Sequence, residues 1–147
     1  MKELSIIIPV YNSEECLKRT VEEVLNSVYK LNIIYEIILI DDASNDNSWK
    51  IIKDLKQFNP NIIGIRFNKN FGQHNALLCG IKIASGNYIV TIDDDLEQKP
   101  EDIINLYYKI KDENFDLVYG MPTNIKKSFT RIIITKIYKK ISQIENK

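Results

Sequence analysis

Short apolar runs alternate along the chain with longer stretches whose apolar residues recur every three or four positions. The short runs predict β-strands and the longer stretches predict amphipathic helices, because a strand turns every second side chain to the same face and a helix repeats every ~3.6 residues. The predicted strands cover residues 4–10, 35–40, 62–67, 87–92 and 116–119, and the predicted helices cover residues 17–31, 47–58, 73–84 and 100–114.

This order predicts an α/β fold with a mainly parallel sheet and helices on both faces. With 147 residues, the chain has the length of one domain. Its composition changes near Gly120, Met121 and Pro122, where a basic segment begins. We therefore predict a core over residues 1–122 and a separate basic region over residues 123–147.

The overall charge gives no reason to expect a nucleic acid partner, because 20 Lys and Arg residues balance 20 Asp and Glu residues. Cys16 and Cys79 lie far apart without metal-site spacing, so we predict buried, reduced thiols of a cytoplasmic protein. No apolar run approaches the ~20 residues that span a bilayer, and residues 4–10 are too short for a signal peptide. We expect a soluble or peripheral protein.

Polar groups cluster after three predicted strands, at the edge where open parallel sheets bind ligands. They are Tyr11 and Asn12 after the first strand, Asp41 and Asp42 after the second, and Asp93, Asp94 and Asp95 after the fourth. Consecutive carboxylates repel unless a cation or hydrogen-bond donors offset the charge, and Mg²⁺ or Mn²⁺ commonly binds between carboxylates and substrate phosphates. Because a Gly-rich phosphate loop is absent from the sequence, a phosphate ligand here would need such a metal.

Other interpretations stay open for these residues taken singly. The acidic run can be a solvated loop, and Tyr11 can pack at a strand end instead of stacking on a base while Asp42 accepts a ring N–H. The pair Asp41 and Asp42 also resembles the acidic pair of response-regulator receivers. That class needs an aspartate after the third strand, where this chain has Asn-Lys-Asn at 68–70.

Four segments together carry a resemblance to a known family: IIPVYN at 7–12, IDDAS at 40–44, NKNFGQHNA at 68–76 and IDDDLEQKP at 92–100. In this order and spacing they resemble the inverting family 2 glycosyltransferases of the GT-A fold. The chain looks most like the polyprenyl-phosphate branch, which includes the dolichol-phosphate mannose synthase type and bacterial undecaprenyl-phosphate sugar transferases. The resemblance implies inverting transfer from a UDP- or GDP-sugar to a polyprenyl phosphate or glycan acceptor, with Mg²⁺ or Mn²⁺ as cofactor.

The resemblance assigns nucleotide contacts to matching residues. Pro9, Tyr11 and Asp42 would line the nucleoside pocket, with Asp42 reading a uracil-type ring. The remaining residues of the implied nucleotide-sugar site are Asn12, Asp41, Gly72, Gln73, Asp93 and Asp94. One departure is Ser13, which stands where family members often carry Glu.

The same resemblance identifies catalytic and metal-binding positions. Asp93 and Asp95 are the implied catalytic residues, with Asp93 near the ribose and sugar and Asp95 on the metal that bridges the diphosphate. Asp93 and Glu97 would complete the metal shell, with Glu97 at a position where Gln is usual. Arg131 is the residue assigned to the acceptor phosphate.

The C-terminal region has apolar residues at helical steps with lysines between them. The apolar positions are Ile134, Ile137, Tyr138, Ile141 and Ile144. This pattern predicts a basic amphipathic helix, which either lies on an anionic membrane surface or packs on protein. The first alternative would place the protein at the inner face of the membrane.

Related enzymes continue with further acceptor-site segments, so the chain is expected to be a donor-binding domain or a shortened protein. A phosphate acceptor is already anionic and has less need of a general base than a hydroxyl acceptor has. The alternative function is a non-catalytic nucleotide-sugar-binding module or an inactive truncated fragment. A sugar nucleotidyltransferase is disfavoured, because it would carry a Gly-rich loop with Arg or Lys after the first strand, where residues 9–13 have none.

Overall fold

The computed structural model describes residues 1–95, 99–120 and 133–136, the last four by their backbone. Its elements are β1 (Leu4–Val10), α1 (Leu17–Tyr29), β2 (Tyr35–Asp41), α2 (Ser48–Phe58), β3 (Ile62–Arg66), α3 (Gln73–Ile83), β4 (Tyr88–Thr91), α4 (Asp102–Asp112), β5 (Leu117–Tyr119) and β6 (Ile133–Lys136). The strands and helices predicted up to residue 119 are confirmed, with boundaries within two residues of those observed.

These strands form one six-stranded sheet in the order β3-β2-β1-β4-β6-β5. The first four strands of that order are parallel, whereas β6 pairs antiparallel with both β4 and β5. The mainly parallel sheet is therefore confirmed. Because β1, β2 and β4 run in one direction, the segments that follow them emerge at a common edge.

Two apolar cores cover the two faces of the sheet. The α1-side core joins α1, α2 and α4 to one face, and it includes Ile6, Ile8, Leu39, Val21 and Tyr107. The α3-side core joins α3 to the other face through Ile7, Ile38, Ile40, Ala76 and Ile89. Helices on both faces are thus confirmed.

The close approach of α3 to β1 depends on Gly80. A Cβ atom at this position would lie 2.4 Å from Cγ2 of Ile7, which is closer than carbon atoms pack. Glycine therefore lets the helix lie directly on the strand. The N-terminus of α3, at Gln73, is consequently fixed beside the ligand edge.

The helix predicted over the C-terminal region is wrong for Ile133–Lys136, which form strand β6. Residues 132–135 are four consecutive β-branched residues, a composition that favours an extended backbone, and β4 offers an edge for pairing. These four residues belong to the sheet, although they fall in the region predicted to be separate from the core. The rest of that predicted helix lies outside the described residues.

A buried carboxylate ties the strands together at the amino edge of the sheet, opposite the ligand edge. Glu36 is 1% exposed and accepts hydrogen bonds from Lys2 at 2.6 Å, Ser5 at 2.6 Å, and the N–H and hydroxyl of Ser85 at 2.7 and 2.9 Å. Burial raises the pKa of Glu36, but these hydrogen bonds outweigh it and hold the pKa below 4.5.

Both cysteines, Cys16 and Cys79, are free thiols that are partly buried. Among the helices in the described part of the chain, none has the length and apolar content that a membrane crossing needs.

Candidate active site

A cavity of about 550 Å³ opens at the carboxyl edge of the sheet. It is lined by Pro9, Val10, Tyr11, Asp42, Asn70, Gly72, Gln73, Asp93, Asp94 and Asp95. Most of the sequence-predicted site residues are therefore brought together, from β1, β2, β4 and the segment before α3. Val10 was not singled out from the sequence, although it lies inside the motif at 7–12, whereas Asn70 belongs to the loop that the resemblance places at the pocket.

Asp42 fixes the segment before α3 to the end of β2. Its side chain is buried, and Oδ1 accepts the N–H of Phe71 at 2.7 Å while Oδ2 accepts the N–H of Gly72 at 2.8 Å. Gly72 has φ of 88°, a conformation that favours glycine, so its N–H can turn toward the carboxylate. Each carboxylate oxygen has a further lone pair, which leaves Asp42 able to accept a ligand N–H.

Asp41 lies behind the cavity and does not line it. Its buried Oδ1 accepts the N–H of Ser44 at 3.2 Å, and Oδ2 lies 3.0 Å from Nε of Arg66. The direction of that second contact makes it an ion pair without a hydrogen bond. Arg66 also donates to the carbonyl of Ser44 at 2.9 Å, so both groups brace the turn in which Ala43 has φ of 59°.

Asn12 is also outside the cavity lining and connects two loops. Its N–H donates to the hydroxyl of Ser44 at 2.9 Å, and its Oδ1 accepts the N–H of Asn45 at 2.8 Å. Asn12 has φ of 52°, which Asn tolerates better than most residues. The structure thus gives Asn12 a bracing position between the ends of β1 and β2.

The three aspartates of the triplet point to different neighbours. Oδ1 of Asp93 accepts the amide N–H of Gln73 at 2.8 Å, at the start of α3. Oδ2 of Asp94 accepts the N–H of Tyr11 at 3.3 Å and the hydroxyl of Ser13. Asp95 is exposed in the cavity wall. Burial raises the pKa of Asp94, and the hydrogen bonds from Ser13 and Tyr11 offset only part of that increase.

The backbone of the triplet is held from α1. The carbonyl of Asp94 accepts the thiol of Cys16 at 2.9 Å and the hydroxyl of Thr20 at 3.1 Å. Burial, followed by the charges of Asp94 and Asp95, raises the pKa of Cys16, so the thiol keeps the proton it donates. Sequence reasoning gave Ser13 and Cys16 no contact with the triplet, and it did not name Thr20. The available signal was Thr20, a polar residue on the apolar face of α1.

Asp93 and Asp95 could form part of a metal site in which substrate phosphates supply the remaining ligands. Within residues 1–95 and 99–120, no group of three or more His, Cys, Asp or Glu side chains converges as a preformed cage. Asp93 and Asp95 nevertheless line one cavity, and Mg²⁺ sites commonly combine one or two carboxylates with substrate phosphates. These residues fit a divalent ion that binds together with a phosphate ligand. Glu97 and Arg131 lie outside the described residues.

The parallel sheet and the cavity at its carboxyl edge define a Rossmann-like α/β domain of the GT-A type. The chain belongs to glycosyl transferase family 2, whose model matches residues 5–146.

The solved structures that share this fold include those of two named proteins. S. aureus TarS 1-349 superposes with a TM-score of 0.66 and 21% identity over 91% of this chain and 47% of the TarS 1-349 chain. The complex of TarS 1-349 with UDP-GlcNAc superposes with a TM-score of 0.65 and 23% identity, over 86% of this chain and 38% of that chain. The mannosyltransferase PcManGT from Pyrobaculum calidifontis, in complex with GDP-Man and Mn²⁺, superposes with a TM-score of 0.70 and 18% identity. The match covers 92% of this chain and 44% of the PcManGT chain. The chain spans less than half the length of each of these proteins.

Proposed function

We propose that this chain is the donor-binding part of a metal-dependent glycosyltransferase. It binds a UDP- or GDP-sugar at the carboxyl edge of the sheet, and the sugar passes with inversion to an acceptor, most simply a polyprenyl phosphate. The supporting observation is the single cavity that joins Tyr11, Asp42 and the aspartate triplet. Family membership and the nucleotide-sugar complexes of the two structural neighbours give this chemistry its context.

The nucleoside end of the site is formed by Tyr11 and Asp42. Tyr11 is 48% exposed and presents a ring on which a base can stack. Asp42 is buried with both oxygens already bound to backbone N–H groups, so its charge is fixed in position and can accept a ring N–H. A base held between these two groups would direct its phosphates toward the triplet.

The diphosphate end of the site is formed by Asp93 and Asp95. These residues would hold Mg²⁺ or Mn²⁺, which when bound offsets the negative charge that develops on the departing diphosphate. Gln73 keeps Asp93 oriented through its amide N–H. The protein therefore contributes by positioning the nucleotide-sugar and the carboxylates that would hold the metal. An anionic phosphate acceptor supplies its own nucleophile.

The acceptor side is proposed from the sequence. Arg131 would bind the acceptor phosphate, and Glu97 would add a carboxylate to the metal shell. The basic residues of the C-terminal region would bring the protein to the inner, anionic face of a membrane in the cytoplasm. A lipid-linked phosphate would then reach the site from that surface.

Calorimetry tests the binding step. Titration with UDP and GDP, with Mn²⁺ and with a chelator, should show metal-dependent binding of one nucleotide. Absence of metal-dependent binding to either nucleotide would overturn the proposal. Incubation with UDP-GlcNAc or GDP-Man and a short polyprenyl phosphate then tests transfer. Binding without turnover would favour the second candidate, a nucleotide-sugar-binding module, and would leave the donor site in place.

A further inference from the structure

Asp94 is bound to the segment between β1 and α1 by both its side chain and its backbone. The side chain accepts the N–H of Tyr11 at 3.3 Å and the hydroxyl of Ser13. The carbonyl accepts the thiol of Cys16 and the hydroxyl of Thr20 at 2.9 and 3.1 Å. These four donors around Asp94 are here named the Asp94 clamp.

Donors of the clamp are themselves held in place. Ser13 is 8% exposed, and its N–H donates to the hydroxyl of Ser48 at 2.8 Å, on α2. Thr20 is 1% exposed and belongs to the buried face of α1. Its hydroxyl lies 3.1 Å from the carbonyls of both Cys16 and Asp94. The clamp therefore rests on packed helices.

The clamp lies between the two ends of the proposed donor site. Tyr11, on one side of the cavity, donates to Asp94 through its own backbone, and Asp93 and Asp95 flank Asp94 in the chain. A shift of the Asp94 backbone would move both neighbours relative to Tyr11. In the proposed donor site, the distance from a bound base to the carboxylates that would hold the metal would thus be set at Asp94.

We propose that Asp94 is a positioning residue and that Ser13 and Thr20 act through it to couple nucleoside binding to metal binding. This inference rests on the proposed function and deepens it. Asp94, which the resemblance assigned to the nucleotide-sugar contacts, is instead a residue that positions the groups making those contacts. The clamp joins the nucleoside end of the site to its metal end. It should therefore set how strongly a bound metal increases the affinity for the nucleotide.

The test uses two variants that leave all three carboxylates in place, so that no metal ligand is lost. Ser13→Ala removes the hydroxyl bound to the Asp94 side chain, and Thr20→Val removes the hydroxyl bound to its carbonyl with little change in shape. Thr20→Ser restores a hydroxyl. The matched control is Ser5→Ala, which removes a buried hydroxyl bound to a carboxylate, Glu36, at the other end of β1.

The measurement is the dissociation constant for UDP and for GDP, each with Mn²⁺ and with a chelator, by calorimetry. The readout is the factor by which Mn²⁺ strengthens nucleotide binding. We expect this factor to fall about tenfold in Ser13→Ala and in Thr20→Val, the size of one hydrogen bond to a charged or buried group. Thr20→Ser should recover it, and Ser5→Ala should keep the wild-type factor while lowering the melting temperature.

Each result decides between distinct conclusions. Wild-type protein that shows no Mn²⁺-dependent binding of either nucleotide would overturn the proposed function and the coupling with it. Wild-type binding together with an unchanged Mn²⁺ factor in Ser13→Ala and Thr20→Val would overturn the coupling alone. An equal loss in Ser5→Ala would also overturn it, because general destabilisation would then account for the effect.

Discussion

Asp42→Asn tests whether one buried carboxylate holds the segment before α3 against the ligand edge. The two oxygens of Asp42 accept two consecutive N–H groups, of Phe71 and Gly72, at 2.7 and 2.8 Å. An amide keeps one acceptor oxygen and turns its NH₂ group toward the other backbone N–H. The variant can therefore satisfy only one of the two contacts.

The expected loss of stability follows from these contacts. A hydrogen bond to a charged group contributes roughly 1.5–3 kcal/mol, and Asp42 is 3% exposed, so water replaces little of it. Gly72 has a second acceptor in Oδ1 of Asn70 at 3.0 Å, which limits the loss if the remaining amide oxygen turns to Phe71. We expect about 2 kcal/mol, which corresponds to a melting temperature lower by about 4–8 °C for a chain of this size.

Nucleotide affinity should fall along with stability, because the variant loses the charge proposed to accept a ring N–H. Circular dichroism gives the melting temperature, and calorimetry with UDP, GDP and Mn²⁺ gives the affinity. Asp46→Asn is the matched control. Asp46 also accepts two backbone N–H groups, from Ser48 at 2.9 Å and Glu14 at 3.0 Å, but it does not line the cavity.

The control should lose stability and keep nucleotide affinity. An Asp42→Asn protein with the wild-type melting temperature would refute the structural role of the two N–H contacts. Equal loss of affinity in the Asp42 and Asp46 variants would instead refute the assignment of Asp42 to the nucleoside end.

Three further predictions follow from the fold and the site. Tyr11→Ala should weaken nucleotide binding about tenfold or more by removing a stacking surface, while Tyr11→Phe should keep it, as measured by calorimetry. Glu36→Gln should lower the free energy of unfolding near neutral pH. Because the folded-state pKa of Glu36 lies below 4.5, its contribution is present above that pH and is lost as the pH falls through the folded value, so urea denaturation should show variant and wild type converging in acid. Gly80→Ala should destabilise the protein by about 1–3 kcal/mol through its contact with Ile7, seen as a lower urea midpoint; an unchanged midpoint would contradict the packing of α3 on β1.

The strands and helices could be predicted closely because their hydrophobic periods are clean. Residues 4–10 form a run that is buried on both sides, as expected for the centre of a parallel sheet. Residues 133–136 were predicted wrongly because isoleucines at helical steps overlap with a β-branched run. The deciding factor there was the unpaired edge of β4, which is a tertiary feature that the local pattern does not contain.

The candidate site was predicted at the level of strand ends and less well at the level of single side chains. Tyr11, Asp42 and Asp93 line the cavity as expected, whereas Asn12 and Asp41 brace the loops behind it. Motif positions indicate which loop a residue belongs to. They do not indicate the direction of its side chain, which depends on the alternation of the preceding strand.

The alternation of side chains along β2 explains why Asp41 and Asp42, at the end of that strand, point to opposite faces of the sheet. The buried residues of β2 alternate between the two cores, with Ile37 and Leu39 on the α1 side and Ile38 and Ile40 on the α3 side. Asp41 continues the first series and Asp42 the second. Asp42 consequently meets the segment before α3, and Asp41 turns to the opposite face, where it pairs with Arg66.

The same alternation divides the triplet, and it gives the Asp94 clamp a cause in the sequence. Val90 and Ile92 belong to the α1-side core and Ile89 to the α3-side core. Continued past the end of β4, this period directs the Asp94 side chain toward the α1 side and that of Asp93 toward α3, and the side-chain contacts with Ser13 and with Gln73 agree. Inserting one residue after Ile92 would exchange the two directions. Three adjacent carboxylates therefore differ in role because the strand before them turns successive side chains to opposite faces.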